Sequence, residues 1–110
     1  MKDQQEYIDH ILASIAAIKT YVEPHTKQSF FRDAQAQDAV IRRLEIIGEA
    51  ARHLSDALTS RTSHIEWRAV KAMRNFLIHE YFNVDLNLVW NVAQKDLPVM
   101  KKVLSELKGI

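Results

Sequence analysis

Four residues in the second half of the chain could together hold a phosphate group and move a proton: Arg74, Asn75, His79 and Tyr81. The guanidinium of an arginine is a rigid fork of N–H donors that matches phosphate oxygens. An imidazole has an unperturbed pKa of about 6.5, so it can donate or accept a proton near neutral pH. The four side chains fall within about two helical turns. This grouping predicts acid–base chemistry on a phosphate.

Arg74 also has a purely structural interpretation. On a helix it falls within an arc of apolar residues, which are Trp67, Val70, Met73, Leu77, Ile78 and Tyr81. A charged group in an apolar stripe costs free energy unless it is paired or faces a cavity. The pairing carboxylate would be Glu45 or Glu49 on a neighbouring helix. Both interpretations stay open, and the polar neighbours of Arg74 favour a site.

The helix that carries these residues is predicted to run from Ser63 to Tyr81. Ser63 and Glu66 have the spacing of a capping box, and no Gly or Pro interrupts the run that follows. Residues five apart on one helix point roughly 140° away from each other. Arg74 and His79 of one chain therefore converge poorly. A two-fold dimer would bring a second Arg74 and His79 to the same cleft.

The rest of the chain is also predicted to be helical, from the spacing of its apolar residues and from its capping residues. Asp33 and Asp85 are the predicted N-caps of two long helices. Gly48 lies in mid-helix and predicts a close helix crossing, while Pro98 predicts a kink in the last helix. The predicted boundaries are about Asp3 to Val22, a short turn around Phe30 and Phe31, Asp33 to His53, Ser55 to Arg61, and Asp85 to Gly109.

Composition agrees with this interpretation. The chain has 110 residues, of which 47% are apolar, with only 2 Gly and 2 Pro. We therefore expect one domain, residues 1–110, folded as an all-α, antiparallel bundle of four to five helices. No cysteine is present, which excludes disulfides and thiolate metal sites. The net charge of +1 argues against a broad face for nonspecific duplex binding. Without a signal peptide or a membrane-spanning run, we expect a cytoplasmic protein.

The octet Arg74–Tyr81 resembles the Arg-x4-His-x-Tyr signature of HEPN-domain ribonucleases, and specifically of the HepT-like toxin group. Three other segments are similar to that group as well. They are Leu44–Ala51, which contains Gly48, then Ile65–Trp67 before the motif and Asp85–Trp90 after it. The resemblance covers nearly the whole chain, from the first helix to the last.

This resemblance implies a HEPN-like helical fold and a metal-independent endoribonuclease that needs no cofactor. The enzyme would be the toxin of a toxin–antitoxin pair, with a minimal nucleotidyltransferase as its antitoxin. Arg74 and His79 would be the catalytic residues, with Asn75 and Tyr81 supporting them. In some members the antitoxin attaches AMP to the motif tyrosine, here Tyr81. The family also implies a homodimer with a composite site.

The chemistry of the residues agrees with this implication. RNA can be cleaved without a metal if its 2′-OH attacks the adjacent phosphate, which leaves a cyclic phosphate and makes DNA a non-substrate. Such a route needs a proton-transfer group and a cation near the phosphate, and His79 and Arg74 supply these. A metal site from His64, His79 and Glu80 is not expected, because adjacent residues diverge on a helix. His53 and His64 are expected at the surface.

Two non-catalytic alternatives stay open. In the first, the chain is a helical binding module that holds the nucleotidyltransferase. In the second, its cleft presents a nucleotide or another acceptor for the partner's transfer reaction. Full activity of Arg74→Ala and His79→Ala variants would remove the enzyme interpretation.

Overall fold

The computed structural model describes residues 4–79 and 83–108, and for residue 108 it describes the backbone alone. These residues contain helices and connecting turns, and no strand. The helices are α1 Gln4–Val22, α2 Lys27–Phe30, α3 Ala34–Ala51, α4 Asp56–Arg61, α5 Trp67–His79, α6 Leu86–Asn91, a π-helical segment Val92–Asp96, and α7 Leu97–Lys108. The predicted all-α fold is confirmed. Among the residues described, no helix combines the length and the apolar character that crossing a membrane requires.

Helices α1 and α3 pack side by side in antiparallel fashion, as the contact at the start of α1 shows. The Gln4 side chain donates to the carbonyl oxygen of His53 at 3.0 Å and accepts from the backbone N–H of Ser55 at 2.7 Å. Both partners follow the end of α3, so the start of α1 lies beside the end of α3. Helix α3 packs most extensively against α1 and α5, and α7 packs against α1. The most deeply buried apolar side chains are Phe30, Ile11, Ile18, Leu44, Ile47, Leu77, Leu104 and Val40.

Helix α3 crosses α5 at very short range at Gly48. A Cβ atom at this position would overlap the Cβ of Arg74 and would lie 3.1 Å from the carbonyl oxygen of Val70. The backbones can approach this closely only because glycine has no side chain. The close crossing that the sequence predicts at Gly48 is confirmed, and it brings Arg74 against α3.

Short polar side chains set most helix starts. Asp33 accepts from the N–H of Ala36 at 3.0 Å, and Asp85 accepts from the N–H of Asn87 at 2.9 Å, so both predicted N-caps are confirmed. The predicted turn around Phe30 is α2, and the predicted short helix after Ser55 is α4. Local capping chemistry therefore fixes where these elements begin.

The capping box predicted at Ser63 is wrong. Helix α5 begins at Trp67, and the residues before it form turns. The residue before Ser63, Thr62, is buried, and its hydroxyl accepts a hydrogen bond from the indole Nε1–H of Trp67 at 2.9 Å. The side chain of Ile65 is also buried. These contacts hold the turn against the core, so the helix starts after them.

The apolar arc of α5 is only partly buried. Trp67, Val70 and Leu77 lie in the core and Met73 is half-buried, whereas Ile78 is 43% exposed. The end predicted for this helix, at Tyr81, lies outside the described residues. In the last described turn of α5, Leu77 is therefore buried in the core while Phe76, Ile78 and His79 are exposed.

The last predicted helix is continuous, but it contains one π-helical turn. Helix α6, the π-helical segment and α7 follow one another directly, and the N–H of Leu97 bonds to the carbonyl oxygen of Val92. Pro98 comes immediately after this turn. A proline has no N–H to give to the carbonyl of Gln94, and a π-turn is a common way for a helix to change its bonding register. A π-turn therefore lies just before the proline, and the kink predicted at Pro98 stays a prediction.

Candidate active site

Arg74 lies at the surface of α5 with its guanidinium held on two sides. Its Nε is 3.3 Å from a carboxylate oxygen of Glu49 on α3. One terminal N–H donates to the Oδ1 of Asn75 at 2.9 Å. The Arg74 side chain keeps 30% of its surface exposed. Arg74 therefore forms the predicted ion pair with Glu49, and part of its side chain still contacts solvent.

Glu49 is the centre of the charged cluster around Arg74. Its carboxylate lies 3.1 Å from a guanidinium nitrogen of Arg52 and 3.5 Å from the Nε2 of His53. Partial burial acts to raise the pKa of Glu49, but the guanidiniums of Arg52 and Arg74, and hydrogen bonds from Arg52 and His53, act more strongly and hold the pKa below its ordinary value. Glu49 is therefore ionised at neutral pH and faces Arg74 as a carboxylate. The other predicted partner, Glu45, pairs with Arg42 instead, at 3.4 Å.

A groove of about 460 Å³ surrounds this cluster, and we call it the Arg74 groove. It is lined by Tyr7, His10, Arg42, Glu45, Ile46, Glu49, Ala50, His53, Arg74 and Ile78. The rings of Tyr7 and His53 stack in it, with centroids 4.8 Å apart and an angle of 9° between their planes. The groove thus places the stacked rings of Tyr7 and His53 and the guanidinium of Arg42 beside the partly exposed guanidinium of Arg74.

His79 is the last described residue of α5, and its side chain is exposed. Within residues 4–79 and 83–108, no hydrogen bond or ion pair joins it to Arg74. The poor convergence of the two residues in one chain agrees with their spacing on the helix. Tyr81, predicted as a supporting residue and as the point of AMP attachment, lies outside the described residues.

A second groove of about 580 Å³ lies between α5 and the α6–α7 helix and is mainly apolar. Phe76, Leu88 and Val99, which are all exposed, line it together with His64 and Asp96. Although this groove is larger, Arg74 does not line it, and the described lining of neither groove includes His79. The candidate chemistry therefore lies with the Arg74 groove. In the part of the chain that the structure describes, no cluster of three His, Asp or Glu side chains could hold a metal ion.

The sequence indicated some of this cluster and missed the rest. Glu49 was predicted only as one of two possible ion-pair partners for Arg74. His53 was expected at the surface, which is confirmed, but its contact with Glu49 was not predicted although their spacing of four residues places them on one helix face. The stack of His53 on Tyr7 joins α1 to the turn after α3, which is far from it in sequence, and no local pattern indicates this contact.

Comparison with known proteins decides the family. The model of the HepT-like family, described as ribonuclease HepT-like, matches residues 11–107. The chain belongs to this family. The match includes Arg74, Asn75, His79 and the α3 segment that crosses α5 at Gly48, so the resemblance drawn from the motif is confirmed.

Individual relatives of this HepT-like chain agree. A protein of Methanocaldococcus jannaschii named "Gamma-glutamylcyclotransferase and putative RNase" is 44% identical over 96% of the chain, which spans 50% of that protein's length. A protein of Thermococcus cleftensis named "Probable ribonuclease HepT" is 33% identical, and the match covers 97% of each chain. The chain thus corresponds to about half of the first relative and to nearly all of the second. No solved structure gives a significant match.

Proposed function

We propose that this HepT-like chain is a metal-independent endoribonuclease, and that it acts as the toxin of a toxin–antitoxin pair. The observation that carries the proposal is the state of the motif arginine: the Arg74 side chain is partly exposed, it contacts Glu49 and Asn75, and its guanidinium still has unused N–H donors. Its family and the printed names of its relatives support a ribonuclease.

The proposed reaction uses the 2′-OH of the RNA as its nucleophile. The 2′-oxygen forms a bond to phosphorus while the bond from phosphorus to the 5′-oxygen breaks, which gives a 2′,3′-cyclic phosphate and a free 5′-OH. One proton leaves the 2′-OH and one is delivered to the departing 5′-oxygen. His79 takes one of these proton-transfer roles. Arg74 stabilises the negative charge that grows on the phosphate oxygens, through its unused N–H donors.

We further propose that two chains form a homodimer with a composite site. Among the described residues, no contact joins Arg74 to His79 of the same chain, and the partly exposed Arg74 and the exposed His79 are accessible to a second chain. In a two-fold dimer, the Arg74 and His79 of both chains can face one phosphate. Two imidazoles would then serve the two proton transfers.

The proposed partner is a minimal nucleotidyltransferase that acts as the antitoxin. It would silence the enzyme by covering the site, by attaching AMP to the hydroxyl of Tyr81, or by both. A phosphate group on Tyr81, two residues from His79, would repel the phosphates of an RNA substrate. Neutralisation would then follow from charge as well as from bulk.

The test uses purified protein, structured RNA and EDTA. The wild type should cleave the RNA and leave cyclic phosphate ends, and the matching DNA should stay intact. Arg74→Ala and His79→Ala should each lower the cleavage rate by roughly 100-fold or more, the effect expected from losing a proton-transfer or charge-stabilising group. Arg61→Ala and His64→Ala are matched controls, because both residues are exposed and lie outside the Arg74 groove. Equal activity of all five proteins would exclude this site.

The alternative function is a non-catalytic module that binds the nucleotidyltransferase or presents a substrate to it. The exposed apolar residues Phe76, Leu88 and Val99 favour this alternative, because exposed apolar groups clustered in one groove are typical of interaction surfaces. A growth assay separates the two functions. Expression of the wild type alone should arrest growth, and His79→Ala or co-expression of the nucleotidyltransferase should restore it. A wild type that is harmless and cleaves no RNA, yet binds the nucleotidyltransferase, would favour the module.

A further inference from the structure

The Arg74 guanidinium has five N–H donors on three nitrogens, and two of these nitrogens have a partner in the structure. Nε lies 3.3 Å from a carboxylate oxygen of Glu49 in an ion pair, and one N–H of Nη1 donates to Asn75. The three remaining donors belong to the two terminal nitrogens, which form the end of the fork. A phosphate that binds end-on to this fork would leave both existing contacts in place.

We propose that Glu49 is a positioning residue for the ribonuclease reaction: it holds Arg74 from the Nε side so that the terminal nitrogens of the guanidinium face the scissile phosphate. The inference rests on the proposed function, and it adds a residue from α3 to a site otherwise built from α5. Glu49 itself does not touch the substrate.

Glu49 is well placed for this task because two side chains just beyond the end of its helix anchor it. Arg52, the C-cap of α3, lies 3.1 Å from its carboxylate, and His53, in the turn that follows, lies 3.5 Å from it. The close crossing at Gly48 then brings this anchored carboxylate to Arg74. A carboxylate held by two neighbours is a firmer support for the guanidinium than one that moves freely.

Two effects of Glu49 oppose each other, and they act on different kinetic constants. Its negative charge repels RNA, which weakens binding. Its contact with Arg74 restricts the rotamers of that long side chain. The rotamer entropy of an arginine side chain corresponds to a factor of roughly 30 in an equilibrium constant. Because Glu49 is 45% exposed, solvent screens the repulsion, whereas the orientation of Arg74 is kept. We therefore expect Glu49 to raise kcat more than it raises KM.

The opposite role for Glu49 would be to block Arg74. If Glu49 blocked Arg74 until RNA displaced it, removing the carboxylate would free the guanidinium and increase activity. The two roles therefore predict changes of opposite sign in the same variant.

The experiment measures kcat and KM for RNA cleavage by Glu49→Ala and Glu49→Gln. Glu49→Ala removes the support, and we expect kcat to fall about 10-fold with KM unchanged or lower. Glu49→Gln keeps an acceptor oxygen and loses the charge, so kcat should stay within about 3-fold of the wild type while KM falls. Glu45→Ala is the matched control: Glu45 lies one turn earlier on α3, lines the same groove and pairs with Arg42 rather than Arg74. A kcat for Glu49→Ala at or above the wild-type value, or an equal loss in Glu45→Ala, would overturn the inference.

A second measurement does not depend on activity. In protein labelled with ¹⁵N-arginine, the Nε–H signal of Arg74 should exchange slowly with water in the wild type and in Glu49→Gln, and rapidly in Glu49→Ala. The exposed Arg61 provides the reference for a free guanidinium. Exchange of Arg74 as fast as that of Arg61 in the wild type would contradict the inference. If Arg74 of the wild type exchanges slowly but the protein cleaves no RNA, the proposed function is wrong and the contact between Glu49 and Arg74 stands. If His79→Ala is inactive while Glu49→Ala is fully active, the proposed function stands and the positioning role of Glu49 is wrong.

Discussion

Replacing Gly48 by alanine should destabilise this protein, although the same change stabilises most helices. At an ordinary mid-helix position, Gly→Ala gains about 1 kcal/mol from helix propensity. At Gly48 the new Cβ would overlap the Cβ of Arg74 and would lie 3.3 Å from its Cα. Neither atom of Arg74 can move away by a side-chain rotation, since both are fixed to the backbone of α5. The two helices must therefore separate.

The size of the effect follows from these two contributions. Adding a methyl group to a closely packed contact costs typically about 1–3 kcal/mol. Subtracting the propensity gain of about 1 kcal/mol leaves a net loss of roughly 0–2 kcal/mol, centred near 1 kcal/mol. For a domain of about this size, each kcal/mol corresponds to a Tm change of roughly 4–8 °C. Gly48→Ala should thus melt several degrees below the wild type.

The assay is thermal unfolding followed by circular dichroism, with Ala13→Gly as the calibrating control. Ala13 is an exposed position within α1, so this variant reports the propensity difference alone, which should cost about 1 kcal/mol. Separation of α3 from α5 should also loosen the contact between Glu49 and Arg74 and lower the RNA cleavage rate. A Gly48→Ala protein that melts above the wild type would refute the argument that the crossing at Gly48 is closely packed.

Two further changes test other contacts. Thr62→Val removes the oxygen that accepts from the indole N–H of Trp67 and leaves a buried donor unpaired, so the free energy of unfolding measured in urea should fall by about 1–3 kcal/mol. The control is Thr20→Val, at an exposed threonine whose hydroxyl bonds within α1, and it should lower the free energy of unfolding clearly less. Equal losses in the two variants would contradict the role of the indole contact. Glu49→Gln should lower stability at neutral pH, because the folded-state pKa of Glu49 lies below its ordinary value of 4.5 and its charge therefore stabilises the fold above that pH. The difference between variant and wild type should vanish as the pH falls through the folded-state pKa, and a difference that persists or grows in acid would show that the charge is not its source.

Much of the fold was predictable because its signals are local. The caps at Asp33 and Asp85 act within one helical turn, and the spacing of apolar residues fixed the long helices. Gly48 is a longer-range prediction that also succeeded, because a glycine inside a helix has few explanations other than a close neighbour. The capping box at Ser63 failed for the opposite reason. Burial of the preceding turn, with Thr62 bonded to Trp67, outweighed a local sequence signal.

The sequence marks candidate site residues but does not specify their contacts. Arg74, Asn75 and His79 are candidates because of their types and spacing on one segment, and their roles stay predictions. Choosing between Glu45 and Glu49 as the partner of Arg74 was not possible, because the two carboxylates lie one turn apart on α3 and only the height of the crossing selects one. That height is set by packing between helices, which a single sequence does not encode in any local pattern.

The π-turn at Val92–Asp96 has a consequence for comparing this chain with its relatives. A π-turn closes its hydrogen bond over one residue more than an α-turn does, so it holds one extra residue inside an otherwise α-helical run. Deleting one residue here would let the turn close as an ordinary α-turn, and Met100 and Leu104 would keep facing the inside of the molecule. A single-residue gap in an alignment at this place is therefore compatible with the same packing of α7, whereas a gap within α7 itself would rotate the residues after it by about 100°.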